Sequence, residues 1–248
     1  MSGTRGRAAA RGLVLFDCDG VLVDTERDGH RVAFNRAFEA AGIDAEWDVD
    51  LYGELLKIAG GKERMTHYFN EAGWPEGQTA ATLIPDLHKR KTAIFTDLIA
   101  KGSLPLRPGV SRIVDEAHAA SIRLGVCTTS DPKAIDGVLD LFGAKRKAWF
   151  EIVLAGDVVK KKKPDPEIYN LAKQRLGLQG SECVVIEDSR NGLLASLGAG
   201  MPTLITTSTY TQDEDFEGAA KVVPELGDPP KVLVTLKDLK AISAQRAA

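Results

Sequence analysis

The stretch GLVLFDCDGVLVDTE, residues 12–26, decides the fold. Leu13 to Phe16 is a short apolar run of the kind that forms a strand buried on both faces. It runs straight into Asp17-Cys18-Asp19-Gly20. Two carboxylates therefore stand two residues apart where the strand ends, on the same side if the chain stays extended. Gly20 lets the backbone turn just after them. Bare anions are costly to bury without a cation or hydrogen-bond donors. Such a pair suits Mg²⁺, a hard cation that takes oxygen ligands. A lone D-x-D is as readily a solvated acidic turn, so the rest of the chain has to decide.

Downstream, the apolar pattern alternates between strand-like runs and helical spacing. Phe34, Ala37, Phe38 and Ala41 mark one helix face, stopped by Gly42. Helical spacing continues to about residue 104, with breaks expected at Gly60-Gly61, Gly73-Trp74-Pro75 and Pro85. Pro108 suits the first turn of the next helix. Strands are expected over 122–128, 150–154, 183–186 and 203–205, with a short edge strand over 232–236. Asp131-Pro132 and Asp165-Pro166 read as N-cap and first helical residue. Strands alternating with helices predict an α/β fold, a Rossmann-like parallel sheet. The expected division is a flexible tail over 1–11, a core over 12–27 and 105–248, and a small helical cap over 28–104.

At 248 residues the chain has room for both parts, and its 44% hydrophobic and 27% charged content is ordinary for a globular protein. A net charge of −3 carries no signature of nucleic-acid or membrane binding. No apolar run approaches a membrane span. Cys18, Cys127 and Cys183 form no C-x-x-C pair and read as reduced thiols. The first residues, MSGTRGRAAAR, contain Arg, Ser and Ala but no acid, and read equally as a transit-peptide stub or a plain tail.

In parallel sheets ligands gather beyond the carboxyl ends of the strands. Four polar clusters each close an apolar run there: Asp17 with Asp19, Thr128-Thr129-Ser130, Lys163, and Glu187-Asp188. Each alone has a plain alternative as a loop, a cap or a β-branched strand residue. Together they suit phosphoryl transfer. Asp17 would attack phosphorus and form an aspartyl phosphate. Mg²⁺ on Asp17 and Asp188, with Lys163, would offset the repulsion between carboxylate and phosphate. Thr128 and neighbouring backbone N–H groups would hold the phosphoryl oxygens. Asp19 would serve as general acid and base, a role typically worth ~10²–10⁴ in rate. Lys163 precedes Pro164, which biases it to an extended conformation.

D-C-D-G-V-L-V-D-T-E, the strand ending at Thr128, Lys163-Pro164-Asp165-Pro166 and Glu187-Asp188-Ser189 resemble the four ordered motifs of the haloacid dehalogenase-like hydrolase superfamily. The resemblance implies Asp17 as nucleophile and Asp19 as acid/base. It places Mg²⁺ on Asp17, the Asp19 carbonyl and Asp188, with Glu187 near the metal shell, and Thr128 and Lys163 on the phosphate. Leu51 to Met65, with the segments around Trp47, Tyr68 and Trp74, Asp28 to His30 and the run before Lys163, is similar to the CbbY group. That likeness implies a xylulose-1,5-bisphosphate phosphatase, clearing an inhibitor of Rubisco in the Calvin cycle, in autotrophic bacteria or the chloroplast stroma.

A bisphosphate needs a second anion site. Gly61 permits close approach, and Lys62 and Arg64 supply cations, Arg being suited to bidentate phosphate contact. Asp24, Glu26 and His30 are expected on hydroxyls or the distal phosphate, and Thr129 and Ser130 near the reacting one. The expected partner is a small sugar bisphosphate, with no nucleic acid and no membrane, bound by a monomer. The alternatives are a β-phosphoglucomutase-like mutase, a phosphoglycolate-type phosphatase and a sugar-phosphate-binding regulator without turnover.

Overall fold

The computed structural model describes residues 12–58, 60–101 and 104–244, so the tail expected over 1–11 lies outside the described residues. β1 (Leu13–Phe16) is buried along its whole length. It pairs in parallel with β2 (Arg123–Cys127) on one side. On its other side lies β4 (Cys183–Glu187), also parallel. β3 (Phe150–Leu154) flanks β2, and β5 (Thr203–Thr206) and β6 (Lys221–Val223) extend the far edge. The order β3-β2-β1-β4-β5-β6 is the Rossmann order, reversing direction between β1 and β4. The α/β fold with a parallel sheet is therefore the fold observed.

Side-chain alternation along β1 feeds two cores. Val14 and Phe16 join Val126 and Ile186 under α5 (Val110–Ala119) and α6 (Pro132–Asp140). Leu13 and Leu15 join Val185 under α8 (Glu167–Leu176) and α9 (Arg190–Gly198). Phe16 is level with Val126 and with Ile186. One step further, Asp17 comes level with Cys127 and Glu187, and its N–H donates to the Ile186 carbonyl at 2.9 Å.

Between β1 and β2 lie a π-turn over Glu26–His30 and the helices α1 (Arg31–Ala40), α2 (Val49–Leu55), α3 (Gly61–Ala72) and α4 (Ala80–Ala100). They enclose an aromatic cluster of Phe34, Phe38, Trp47, Tyr52 and Phe69. α4 serves two cores: Leu83, Ile84 and Leu87 pack into that cluster, while Phe95, Leu98 and Ile99 pack with the sheet. A five-residue helix, α7 (Gly143–Lys147), follows α6, and α10 (Leu236–Ala244) closes the described chain.

Several sequence expectations are corrected. Pro85 does not break the helix but lies inside α4. The apolar stripe around it is buried, which holds the helix through one missing N–H bond. The edge strand is Lys221–Val223 rather than 232–236. Val234 instead plugs the core from a loop, and Leu236 opens α10. α8 starts at Glu167, one residue late, with the Asp165 carboxylate accepting from the Glu167 N–H at 3.0 Å. Pro108 stands before α5, whose N-cap is Gly109 at φ +85°.

At Gly109 a Cβ would lie 2.6 Å from the Gly227 carbonyl, in a left-handed backbone. Gly109→Ala is expected to lower unfolding stability by more than about 1 kcal/mol, read from urea midpoints at unchanged slope.

Candidate active site

The site lies at the switch point, where the chain leaves β1 and β4 side by side. Asp17 follows β1, Glu187 ends β4, and Asp188 comes next; all three are buried. One carboxylate oxygen from each lies within 4.8 Å of the others. Lys163, arriving from the loop after β3, sits among them. Its Nζ donates to Asp17 Oδ1 and to Glu187 Oε1, both at 2.6 Å, and to the Cys127 carbonyl at 2.9 Å. Tyr169 on α8 donates its hydroxyl to the same Glu187 oxygen.

One lysine does not balance three buried carboxylates. Burial pushes the Asp17 carboxyl up to about 7, against the pull of Lys163, with Glu187 and Asp19 adding repulsion. Burial also raises Asp188 well above the usual range, and Asp17 and Glu187 reinforce it. The two ammonium bonds hold Lys163 above its ordinary value although burial acts the other way. An all-oxygen, charge-deficient cluster fits a hard divalent cation. Glu187 is engaged by Lys163 and Tyr169, which leaves Asp17 and Asp188 as the freer donors.

The Asp19 carboxylate is not part of that cluster. Thr25 Oγ1 donates to its Oδ1 at 2.5 Å, His30 Nε2 approaches the same oxygen at 3.0 Å, and Ser130 Oγ donates to Oδ2. Burial alone would raise this carboxyl; His30, Ser130 and Thr25 outweigh it and hold Asp19 below the usual carboxylate range. Thr128 is buried beside it, with Oγ1 accepting from the Ser130 N–H at 3.2 Å.

A cavity of about 1360 Å³ opens from these residues toward the helices between β1 and β2. Glu26, His30, Gly61, Lys62, Arg64, Thr129 and Ser130 line it together with Asp17, Asp19, Thr128, Lys163, Glu187 and Asp188. Of the expected residues Asp24 alone lies elsewhere, while His30 and Arg64 line the cavity with protein partners already on their polar atoms. Asp24 is not among the lining residues: its Oδ2 accepts from Thr209 at 2.8 Å, and it faces Arg107. His30 has both ring nitrogens engaged, Nε2 on Asp19 and Nδ1 on Lys91 Nζ at 2.8 Å. Lysine has only donors, so Nδ1 accepts and Nε2 carries the proton that goes to Asp19. His30 thus bridges Asp19 and Lys91 while its ring still lines the cavity. Arg64 is buried, with Nε on the Leu55 carbonyl at 3.0 Å and Nη atoms on the Tyr52 hydroxyl at 3.0 Å and the Ile58 carbonyl at 3.3 Å. Its remaining N–H groups are the ones left for the cavity. Tyr52 in turn donates to Glu26 at 2.5 Å. Lys62 is exposed at the cavity wall.

Sequence reading missed Lys91, Tyr169, Thr25, Tyr52 and His88. Lys91 left a trace: Leu87, Lys91 and Phe95 share one helix face at i, i+4 and i+8, and a lysine there interrupts a buried stripe. Burial lowers its pKa to about 8. His88 lines the cavity close to Gly61, and burial, then Lys91 and Lys62, lower its pKa. The other three gave no periodic signal.

The sequence profile of the haloacid dehalogenase-like hydrolases matches residues 12–200. A CBBY-like protein of Arabidopsis thaliana is 54% identical over 224 residues, covering 88% of this chain and 70% of that protein. The plasmid CbbY protein of Cupriavidus necator is 42% identical over 219 residues, covering 87% of this chain and 86% of its own. A crystal structure of a mutant CbbY from Rhodobacter sphaeroides in complex with xylulose-(1,5)bisphosphate superposes with a TM-score of 0.81 at 38% identity, covering 88% of this chain and 96% of that one. The chain belongs to the haloacid dehalogenase-like hydrolases and is a CbbY-like phosphoric monoester hydrolase. No helix among the described residues is long and apolar enough to cross a membrane.

Lys163→Met would leave Asp17 and Glu187 buried without their shared cation. The expected loss is roughly 3–5 kcal/mol of unfolding free energy in metal-free buffer, measured by denaturant titration.

Proposed function

We propose that this haloacid dehalogenase-like hydrolase is a Mg²⁺-dependent phosphatase that converts xylulose-1,5-bisphosphate to xylulose 5-phosphate and phosphate. The observation that carries the reading is the relation to a CbbY protein that holds this bisphosphate. It is supported by a cavity with cationic groups in two places: Lys163 beside Asp17, and Lys62, Arg64 and Lys91 on the helical wall. A sugar with a phosphate at each end would present one anion to each of these two groups of cations.

In this reading Asp17 is the nucleophile. With Oδ1 held by Lys163, its other oxygen attacks phosphorus as the bond to the sugar oxygen breaks. Asp19, ionised in the resting site, first takes up a proton at the cost of one of the hydrogen bonds it accepts; it passes that proton to the departing oxygen and regains one from the water that cleaves the aspartyl phosphate. His30, Thr25 and Ser130 keep Asp19 oriented for both steps. Thr128, Thr129 and Ser130 line the pocket for the phosphoryl oxygens. Mg²⁺, held by Asp17, Asp188 and the Asp19 carbonyl with Glu187 in its outer shell, would supply the positive charge that lets a carboxylate meet a phosphate dianion. Lys62, Arg64 and Lys91 bind the distal phosphate, and Glu26 sets Tyr52 and hence Arg64. Residues 28–104 act as a cap that excludes water once the sugar is seated. The reading includes a monomer in the chloroplast stroma that clears an inhibitor of Rubisco, in keeping with the plant relative.

Free phosphate release from a panel of phosphorylated sugars tests the substrate. The pentulose bisphosphate is expected to lead in kcat/KM, with turnover lost on chelation of Mg²⁺ and in Asp17→Asn at unchanged fold. Hexose or glycolate phosphates leading by a wide margin would overturn the substrate assignment. Turnover without free phosphate would point to a mutase.

The pH profile tests the distal site separately. Lys91 carries its charge below about 8 and loses it above. Since kcat/KM reports the free enzyme, its value for the bisphosphate is expected to fall as pH rises through about 8.

A further inference from the structure

Arg107 lies outside the cavity, in the segment that brings the chain back from α4 to α5. That segment is laced to the outgoing one: Leu106 bridges Val23, and the Arg107 N–H donates to the Leu22 carbonyl at 2.8 Å. Its guanidinium then spans four backbone carbonyls. Nη1 donates to Gly20 and, at 3.2 Å, to Thr206; Nη2 donates to Thr207 at 2.7 Å and Pro224 at 2.6 Å.

Two of the segments it ties together adjoin the same carboxylate. Gly20 presses on Asp188 so closely that a Cβ there would be 1.9 Å from Asp188 Oδ2. Ser208, next after Thr207, hydrogen-bonds Asp188 with its hydroxyl. Asp24 faces the same guanidinium and fastens Thr209 in the same loop. A planar fork of donors can serve several carbonyls at once, which an ammonium cannot.

We infer that Arg107 is a positioning residue for Asp188, fixing that carboxylate for a divalent cation through the Gly20 turn and the Thr207-Ser208 backbone. The inference rests on the Mg²⁺ reading of the preceding subsection. It opposes a simple charge effect. A guanidinium near a metal-binding carboxylate repels a second cation, so by charge alone its removal would tighten Mg²⁺ binding. By positioning, its removal loosens binding.

Calorimetric titration of Mg²⁺ into the wild-type chain, Arg107→Lys and Arg107→Met separates the two. Arg107→Lys keeps the charge and loses the fork, and it carries the test if Arg107→Met fails to fold. The expected result is a Kd weakened about 10–100-fold in Arg107→Lys and, where it folds, in Arg107→Met, the range found for outer-shell changes at metal sites. A Kd for Arg107→Lys within about twofold of wild type, or tighter binding by Arg107→Met, overturns the inference while leaving the Mg²⁺ site intact. A wild-type chain that binds no Mg²⁺ overturns the cation reading, and this inference with it.

Discussion

Three carboxylates share the seam between β1 and β4, and the Lys163 ammonium is what lets them be buried there. Asp17 and Asp188 are shifted toward their protonated forms even beside this lysine, and without it the shift would be larger still. Lys163 reaches the seam from the far side of β2, so it also ties the loop after β3 to the centre of the sheet. The strand order creates the crevice, and the lysine makes it habitable for acids. The remaining negative excess then makes the place attractive to a divalent cation.

The parts of this arrangement that could be read in the sequence are those set by short-range pattern. Apolar runs of four or five residues ending in acids or hydroxyls mark the strands and the groups at their ends, because position along a parallel strand fixes which edge a residue reaches. The groups that depend on packing between distant segments left little trace. Tyr169 and Thr25 look like ordinary helix and loop residues until the fold brings them to Glu187 and Asp19. Asp24 is placed away from the cavity lining. It is expected on a hydroxyl or the distal phosphate, but the chain after Val23 brings its carboxylate to Thr209 and Arg107. Likewise Val222 and Val232 have similar local sequence, and only pairing with β5 makes the first of them a strand.

The helical side of the cavity is organised around aromatic packing with a few buried polar links. Tyr52 stands at 5.8 Å from Tyr210 of the sheet side and passes hydrogen bonds to Glu26 and from Arg64. His30 stacks on Phe95 at 3.9 Å while holding Asp19 and Lys91. Rings set the positions of these polar groups, and Phe34, Phe95 and Tyr210 also line the cavity themselves.

α4 spends its first half in the aromatic cluster and its second half against the sheet. No loop therefore separates the two bodies at that point; a single rod runs through both. A chimera that exchanged this helical segment with a relative's would have to cut inside a helix or carry foreign packing into the sheet.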